Sequence, residues 1–424
     1  MATSNEYDCY TDDWKRTKPD IVVYLPQKPG LRDGYGDHFL VDITPQGHLL
    51  AIWTQATQEG SKDIRVVYAR SEDGGITWSS PSELDGPNDG IGLVCSFGFP
   101  IMSRSGRIYC FYNKHLGITD GAHYMTGVMR CKFSDDDGLT WQDGEVDISY
   151  RRTRFDHPDP KVGTRCIVWQ KPIRDGEDRP ITGFSRWSSL QVFPKPVGAN
   201  RAHFDTQCEL MRFDNIDEGP DPKDIQITWM PDAEGTIRVS PPIEPERSKG
   251  YSLAEEPSIA LLPDGRLFMT MRTVTGRVWY TVSEDDGHSW RKPQILRYSD
   301  QGEGILHPKS PAPLYRLEDG RYLLFFHNHD GTGYGANGPW DMDGRRPLFV
   351  TVGNFNPKAY QPIWFDNPKL LHDTQGVGVG PESIMWISMY SSITEQNEKR
   401  ILWYVDRKHF LLGKYITDEF LANV

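Results

Sequence analysis

The 424-residue chain has little of several things that would place it in a class at once. It lacks any run of eighteen apolar residues, so no segment reads as a membrane-spanning helix, and a membrane is not an expected partner. Its six cysteines, Cys9, Cys95, Cys110, Cys131, Cys166 and Cys208, include no C-x-x-C pair, which argues against a structural zinc site. A chain of this length does not need disulfide staples, so these thiols are read as free core residues. Basic charge is also short. Lys and Arg number 47 against 59 Asp and Glu, a formal net charge of −12. Such a surface repels a phosphate backbone and argues against nucleic acid as a partner. An anionic ligand would need a local cationic pocket inside the acidic shell. The N-terminus, MATSNEYDCYTDDWKR, has no apolar leader stretch. The chain as given therefore reads as cytoplasmic, or as secreted or periplasmic if a leader has been removed.

Glycine, proline and aromatic residues are plentiful, with 40 Gly, 31 Pro and 12% aromatics. That density of helix breakers excludes a helical bundle. The aromatics exclude a disordered chain. A turn-rich, mostly β protein remains.

Three eight-residue segments are nearly identical: residues 71–78 (SEDGGITW), 134–141 (SDDDGLTW) and 283–290 (SEDDGHSW). The pattern S-x-D-x-G-x-[ST]-W reads as a hairpin turn. Its Asp can bind backbone amides, its Gly can take positive φ, and its Trp can plug the next strand. A β-rich run, a Gly turn and a second β-rich run recur along the chain, for example around Gly47 and Gly265. Counting such units predicts a six-bladed β-propeller of four-stranded antiparallel blades, in one domain over 1–424. A strand near residues 21–24 would close the last blade and remove its free edge. Seven blades is the alternative, because the stretch 188–250 is long and poorly patterned.

In a four-stranded blade the turns after strands 1 and 3 share one face. The Asp-rich turns therefore fall on that face and are structural. The opposite face collects the starts of innermost strands and the ends of second strands. The starts read Asp37, His38, Ser96, Gln170, Lys171, Glu255, Glu256, His307, Lys309, Ser310 and Glu382. The ends read Gln55, Lys114, His115, Arg186, Trp187, Arg272, His327, His329 and Tyr390. Their ionisable density points to an anionic-ligand pocket. Trp53, Trp169, Trp187 and Trp340 are candidate sugar-stacking residues. His327 and His329 alternate along a strand, but no third ligand stands at fixed spacing, so neither metal nor cofactor is assigned.

These turns resemble the Asp boxes of the sialidase superfamily, and the resemblance covers most of the chain. Residues 256–272 (EPSIALLPDGRLFMTMR) are similar to the family segment that opens with the catalytic Glu and ends with a carboxylate-binding Arg. Residues 345–350 (RRPLFV) resemble the segment carrying another family arginine, and 389–393 (MYSSI) the segment around the nucleophilic Tyr. The resemblance implies Tyr390 as nucleophile, Glu256 as its base, and Arg272 and Arg345 as an anion clamp. One departure stands out: where the family begins its first blade with Arg-Ile-Pro, this chain has Asp37, His38 and Phe39. For the acid/base residue, Asp63 or Asp37 is available, with Glu59 in the same loop as Asp63. Substrate contacts are expected from His38, Lys171, His115, Gln55, Lys309 and Glu382.

The resulting expectation is a sialidase-like exo-glycoside hydrolase acting on an acidic or modified terminal sugar of a glycan. Two alternatives stand beside it. One is a polysaccharide lyase acting on uronates through His or Tyr. The other is a propeller that binds carbohydrate without turnover. Oligomeric state is left open.

Overall fold

The computed structural model describes residues 12–27, 31–87, 92–143, 146–194, 205–232, 235–240, 251–338 and 341–422. Almost all regular structure is β. Among the described residues the one α-helix is Asp418–Ala422.

The sheets follow one another along the chain as antiparallel meanders. The first contains Tyr35–Ile43, Leu49–Ala56, Arg65–Ser71 and Ser82–Asp85, in that order. A later one contains Glu255–Leu261, Leu267–Arg272, Trp279–Ser283 and Gln294–Ile295. Next come Leu314–Arg316, Tyr322–Phe326, Leu348–Phe355 and Ile363–Phe365, with Lys369–His372 added beside the third of these. The last sheet holds Ser388–Gln396, Lys399–Asp406 and Phe410–Tyr415. Its outer strand is Ile21–Tyr24 from the other end of the chain.

Between the first and the Glu255–Leu261 sheet, the structure differs from six separate blades. Three discrete sheets have four strands and one has five, but the stretch from Cys95 to Met230 forms one nine-stranded sheet. The short strand Thr164–Ile167 causes the fusion. Its Thr164 and Arg165 pair with Gly127 and Thr126 on one side. Its Cys166 and Ile167 pair with Arg186 and Ser185 on the other.

The core lies between successive sheets. One cluster joins Leu50, Ile52 and Val66 of the first sheet to Cys110 and Tyr112 of the next. Another joins Phe39 and Trp53 of the first sheet to Trp403 and Val405 of the last. This is the face-to-face packing of a propeller-like arrangement. The five described cysteines are buried, and Cys9 lies outside the described residues.

The three repeat turns share one geometry. In each, the Ser Oγ accepts from the Gly N–H (Gly75, Gly138, Gly287) at 2.8 Å. The Asp carboxylate accepts from the backbone N–H of Thr77, Thr140 or Ser289 at 2.8–2.9 Å. It also accepts from the hydroxyl of the same residue at 2.6 Å. These carboxylates are fully engaged by their own turns, which holds Asp73 down at about 2.

What positions the site is a recurring bulge at the start of an innermost strand. Register breaks between Asp37 and Leu40, between Ser96 and Phe99, and between Glu255 and Ser258. At each break one residue takes left-handed φ: His38 at 50°, Phe97 at 58° and Glu256 at 49°. A fourth break lies between Ser388 and Ser392 and contains Tyr390. Bulges re-aim a side chain out of the pleat alternation, and here they bring His38, Phe97 and Tyr390 into ring contact.

Candidate functional site

Glu256 sits on its bulge with its N–H donating to Ser185 Oγ of the neighbouring sheet at 2.6 Å. Its carboxylate Oε1 accepts from Tyr390 Oη at 2.7 Å and from Arg272 at 2.5 Å. Burial pushes Glu256 towards its neutral form, but the Arg272 guanidinium prevails and holds it below the usual carboxylate range. Tyr390 moves the opposite way. Burial, then the negative charge of Glu256, raise its hydroxyl well above the ordinary phenol value. The resting pair is therefore a protonated phenol donating to an ionised carboxylate, the state a general base needs before it takes a proton.

Arg272 leaves the end of its strand facing two carboxylates, with Nε 3.1 Å from Glu255 and Nη1 2.5 Å from Glu256. Arg345 is reached from a short 3₁₀ turn, Met342–Gly344, and stacks over Trp386 at 4.5 Å. Its Nε–H donates to Lys309 O at 2.8 Å. Lys309 itself is buried, and burial lowers its ammonium to about 8.

The departure at the first blade has a specific form. His38 is buried and packs against Phe97 and Tyr390, each with ring centroids 4.4 Å away. Burial lowers its pKa, so it is neutral. Asp37 is not a bare negative charge. Lys408 lies 2.9 Å from its carboxylate, and Tyr35 O–H donates to it at 2.9 Å. Lys408 also pairs with Glu59 at 2.7 Å and lies 5.9 Å from the centre of the Tyr390 ring.

Sequence reasoning missed Lys408 and Trp386. Lys408 sits in the tight turn between the last two strands of the final sheet, with φ 52°. It reaches the site only because that turn lies over the mouth. No local pattern marks it.

Several expected site residues have other tasks. Asp63 accepts from Thr57 N–H at 3.1 Å and Thr57 Oγ1 at 2.6 Å, and also from Ser61, so it caps its own loop. Asp37 is the buried counter-ion of Lys408. Lys171 lies at the opposite end of the channel, bonded to Asp42 at 2.7 Å. It lines a cavity there with Ile43, Leu261, Arg316 and Glu395, the ends of innermost strands. The sequence reading began that strand at Gln170, whereas it begins at Thr164. Gln55 is beside Gly36 at the mouth, but its Oε1 accepts from Arg65 at 2.7 Å. Glu382 is an exposed rim residue accepting from Glu59 N–H at 3.0 Å.

The histidines are mostly structural. His115 donates to Thr126 O at 3.0 Å. His307 donates to Ser310 O at 2.8 Å, and His327 to Pro347 O at 3.0 Å. His329 donates to Arg346 O at 3.1 Å. Together these pin the loops that carry Lys309 and Arg345. Among the described residues no cluster of three or more His, Cys, Asp or Glu could hold a metal ion. Arg186 is locked between Asp156 at 2.8 Å and Glu209 at 2.5 Å. Trp53 is core, and Trp169 donates to Pro257 O while standing edge-on to Tyr390. Trp340 lies outside the described residues.

Fold and site together define an all-β, propeller-like protein of the Asp-box class, with a Tyr–Glu pair at the channel mouth. The chain belongs to the BNR repeat-like domain family, whose family model matches residues 47–399. No curated protein matches it. Three of the solved structures that are similar in fold are the following. A Dyadobacter fermentans protein of unknown function has 12% identity and a TM-score of 0.60, covering 93% of this chain and 96% of its own. The NanB sialidase from Streptococcus pneumoniae, in a mutant form, has 12% identity and a TM-score of 0.60, covering 95% and 71%. The intramolecular trans-sialidase from Ruminococcus gnavus, solved with oseltamivir carboxylate, has 13% identity and a TM-score of 0.57, covering 94% and 97%.

Proposed function

We propose that the protein is a sialidase-like exo-glycoside hydrolase that releases an acidic terminal sugar from a glycan. The observation that carries this reading is the 2.7 Å hydrogen bond from Tyr390 to an ionised, buried Glu256. Tyr390 Oη attacks the anomeric carbon while the bond from that carbon to the leaving oxygen breaks. The phenol proton passes to Glu256 Oε1. A neutral phenol is not repelled by the anion of the sugar as a carboxylate nucleophile would be. Glu59, once protonated and released from Lys408, hands the leaving oxygen its proton. It is 34% exposed on the rim and tied to the site through Lys408, whereas Asp37 and Asp63 are engaged elsewhere. Water then opens the tyrosyl glycoside, giving its proton to Glu59, and Glu256 returns a proton to Tyr390. Two displacements at one carbon give net retention. In this reading the nine-stranded sheet counts as two blades fused through Thr164–Ile167, which makes a six-bladed ring in one domain.

The test is turnover of aryl glycosides of acidic sugars, with product anomers followed by NMR. Tyr390→Phe and Glu256→Gln should each lower kcat by about a thousandfold or more. Full turnover by both variants would sink the mechanism. An unsaturated, ultraviolet-absorbing product would favour the lyase instead.

A further inference from the structure

The end of the channel away from Tyr390 carries a cavity of its own. A space of about 390 Å³ lies there among the last residues of the innermost strands, within the size range of small-molecule sites. Its floor is aliphatic, with Ile43, Ile259, Leu261 and Ile393. Tyr315 also lines it, and its hydroxyl donates to Ser391 O at 2.7 Å. That side chain therefore stands between the cavity and the strand that carries Tyr390. Charged side chains ring the floor: Lys171, Arg174, Arg316, Glu318 and Glu395. Lys171 is paired with Asp42 at 2.7 Å, Arg174 with Asp217 at 2.6 Å and Glu395 with Arg400 at 2.8 Å. Arg316 and Glu318 are exposed and make no ion pair among the described residues. With their partners, these groups carry as many negative charges as positive ones, in a chain whose net charge is −12.

We propose that this cavity is a second ligand site, which takes a neutral sugar unit and is separate from the mouth that holds Tyr390 and Glu256. The proposal goes beyond the glycosidase reading and does not depend on it. A sugar ring has an apolar C–H face and an edge of hydroxyls, each both donor and acceptor. The C–H face suits the aliphatic floor. The hydroxyls suit a rim that offers a guanidinium and a carboxylate with unused capacity, Arg316 and Glu318, because hydrogen bonds to charged groups are the strong ones. The balance of charge selects against ions. An anion would meet Glu318 and Glu395, and a cation would meet Lys171 and Arg316. A wholly apolar ligand would strip water from that rim without replacing its hydrogen bonds.

Ligand-observed saturation-transfer NMR of the full chain with galactose, glucose, mannose and N-acetylglucosamine tests this without requiring turnover. At least one of these sugars should receive saturation from the wild-type protein, and equally from Tyr390→Phe, since the mouth takes no part. Arg316→Ala and Glu318→Ala, both at exposed positions, should each weaken that sugar about ten- to hundredfold, the range for a hydrogen bond to a charged group. Both should leave turnover of an aryl glycoside at the mouth unchanged. Absence of transfer to every one of these sugars at millimolar concentration overturns the site. So does binding that Tyr390→Phe abolishes, or binding that keeps its wild-type strength in both Arg316→Ala and Glu318→Ala. Preference for N-acetylneuraminic acid that Arg316→Ala removes would make this an anion site and overturn the neutral class. Sugar binding by a protein that turns over no glycoside would leave this site standing and overturn the hydrolase reading alone.

Discussion

Asp37 has no exposed surface, and its charge persists because Lys408 lies beside it. Burial raises the pKa of this carboxyl, but the Lys408 charge outweighs it, and Asp37 titrates below its ordinary value. A carboxyl lowered in the folded state contributes stability above its unfolded pKa and loses it as pH falls through the folded one. Removing the partner alone should therefore be severe. Lys408→Met should cost about 3–5 kcal/mol in denaturant titrations at neutral pH, and the double variant with Asp37→Asn should recover most of it. Lys309 gives a second pH test. Its ammonium is lowered to about 8 by burial and by Arg272 and Arg345, against the opposing charges of Glu255 and Glu256. The charged form is thus disfavoured in the folded protein, and its burial cost is fully present below about pH 8. It fades as pH rises towards the unfolded lysine value. Anion affinity should fall over the same range, because the charge that attracts the anion is lost. The pH profile of kcat/KM on an acidic substrate should fall above about pH 8 in the wild type, and the fall should vanish in Lys309→Arg. Tyr390 and Glu256 were legible because both sit in segments that resemble family segments, although Tyr390, read as the end of a second strand, lies near the start of the innermost strand Ser388–Gln396. Lys408 was not, because a turn between outer strands is near the mouth only once the sheets are stacked.

Elements repeat more faithfully than their sequences do. The bulge N–H of Glu256 donates to Ser185 Oγ, and the bulge N–H of Phe97 donates to Thr54 Oγ1 at 2.9 Å. In both cases a hydroxyl on the second strand of one sheet supports the bulge that opens the next. The pattern spans two elements far apart in sequence, so a reading of local motifs passes over it. The Asp boxes were read correctly because the Ser, Asp and Gly bonds that define each turn fall within eight residues. Lys171 was misplaced because its strand is short, broken and shared between two meanders, which moved the expected start by six residues. Removing the support should act through geometry. Ser185→Ala leaves a buried N–H without its acceptor, so it should cost about 1–3 kcal/mol in stability. It should also lower kcat, because Glu256 loses the contact that fixes its strained φ of 49°. Ser185→Thr, which keeps the hydroxyl, should retain most of both. If kcat is untouched in a correctly destabilised Ser185→Ala, the bulge does not orient the base.

At the scale of the molecule, the first and last sheets are neighbours. Val41 N–H donates to Ser392 Oγ at 2.8 Å, and Ile21, Phe39, Trp53 and Trp403 share one buried cluster. The strand Ile21–Tyr24 completes the last sheet by pairing with Phe410–Tyr415. The two halves of the site depend on this closure. Glu256 and Arg272 come from a mid-chain sheet, whereas Tyr390 and Lys408 come from the last one. Closure thus sets the Tyr390–Glu256 distance across a long span of sequence. Removing residues 1–24 should free the edge of Phe410–Tyr415 and open part of the Trp403 cluster. An unpaired apolar edge strand invites intermolecular pairing. The truncated protein should therefore melt about 10 °C or more below the full chain and elute as concentration-dependent oligomers. Its kcat should fall more than its KM rises, since Arg345 and Lys309 lie in loops the deletion does not touch. Mutating Val22 and Tyr24 to proline in the full chain should reproduce the effect without shortening it, because proline cannot donate to the ladder. A monomeric truncation with full kcat would show that the mouth is held by the sheet interfaces alone.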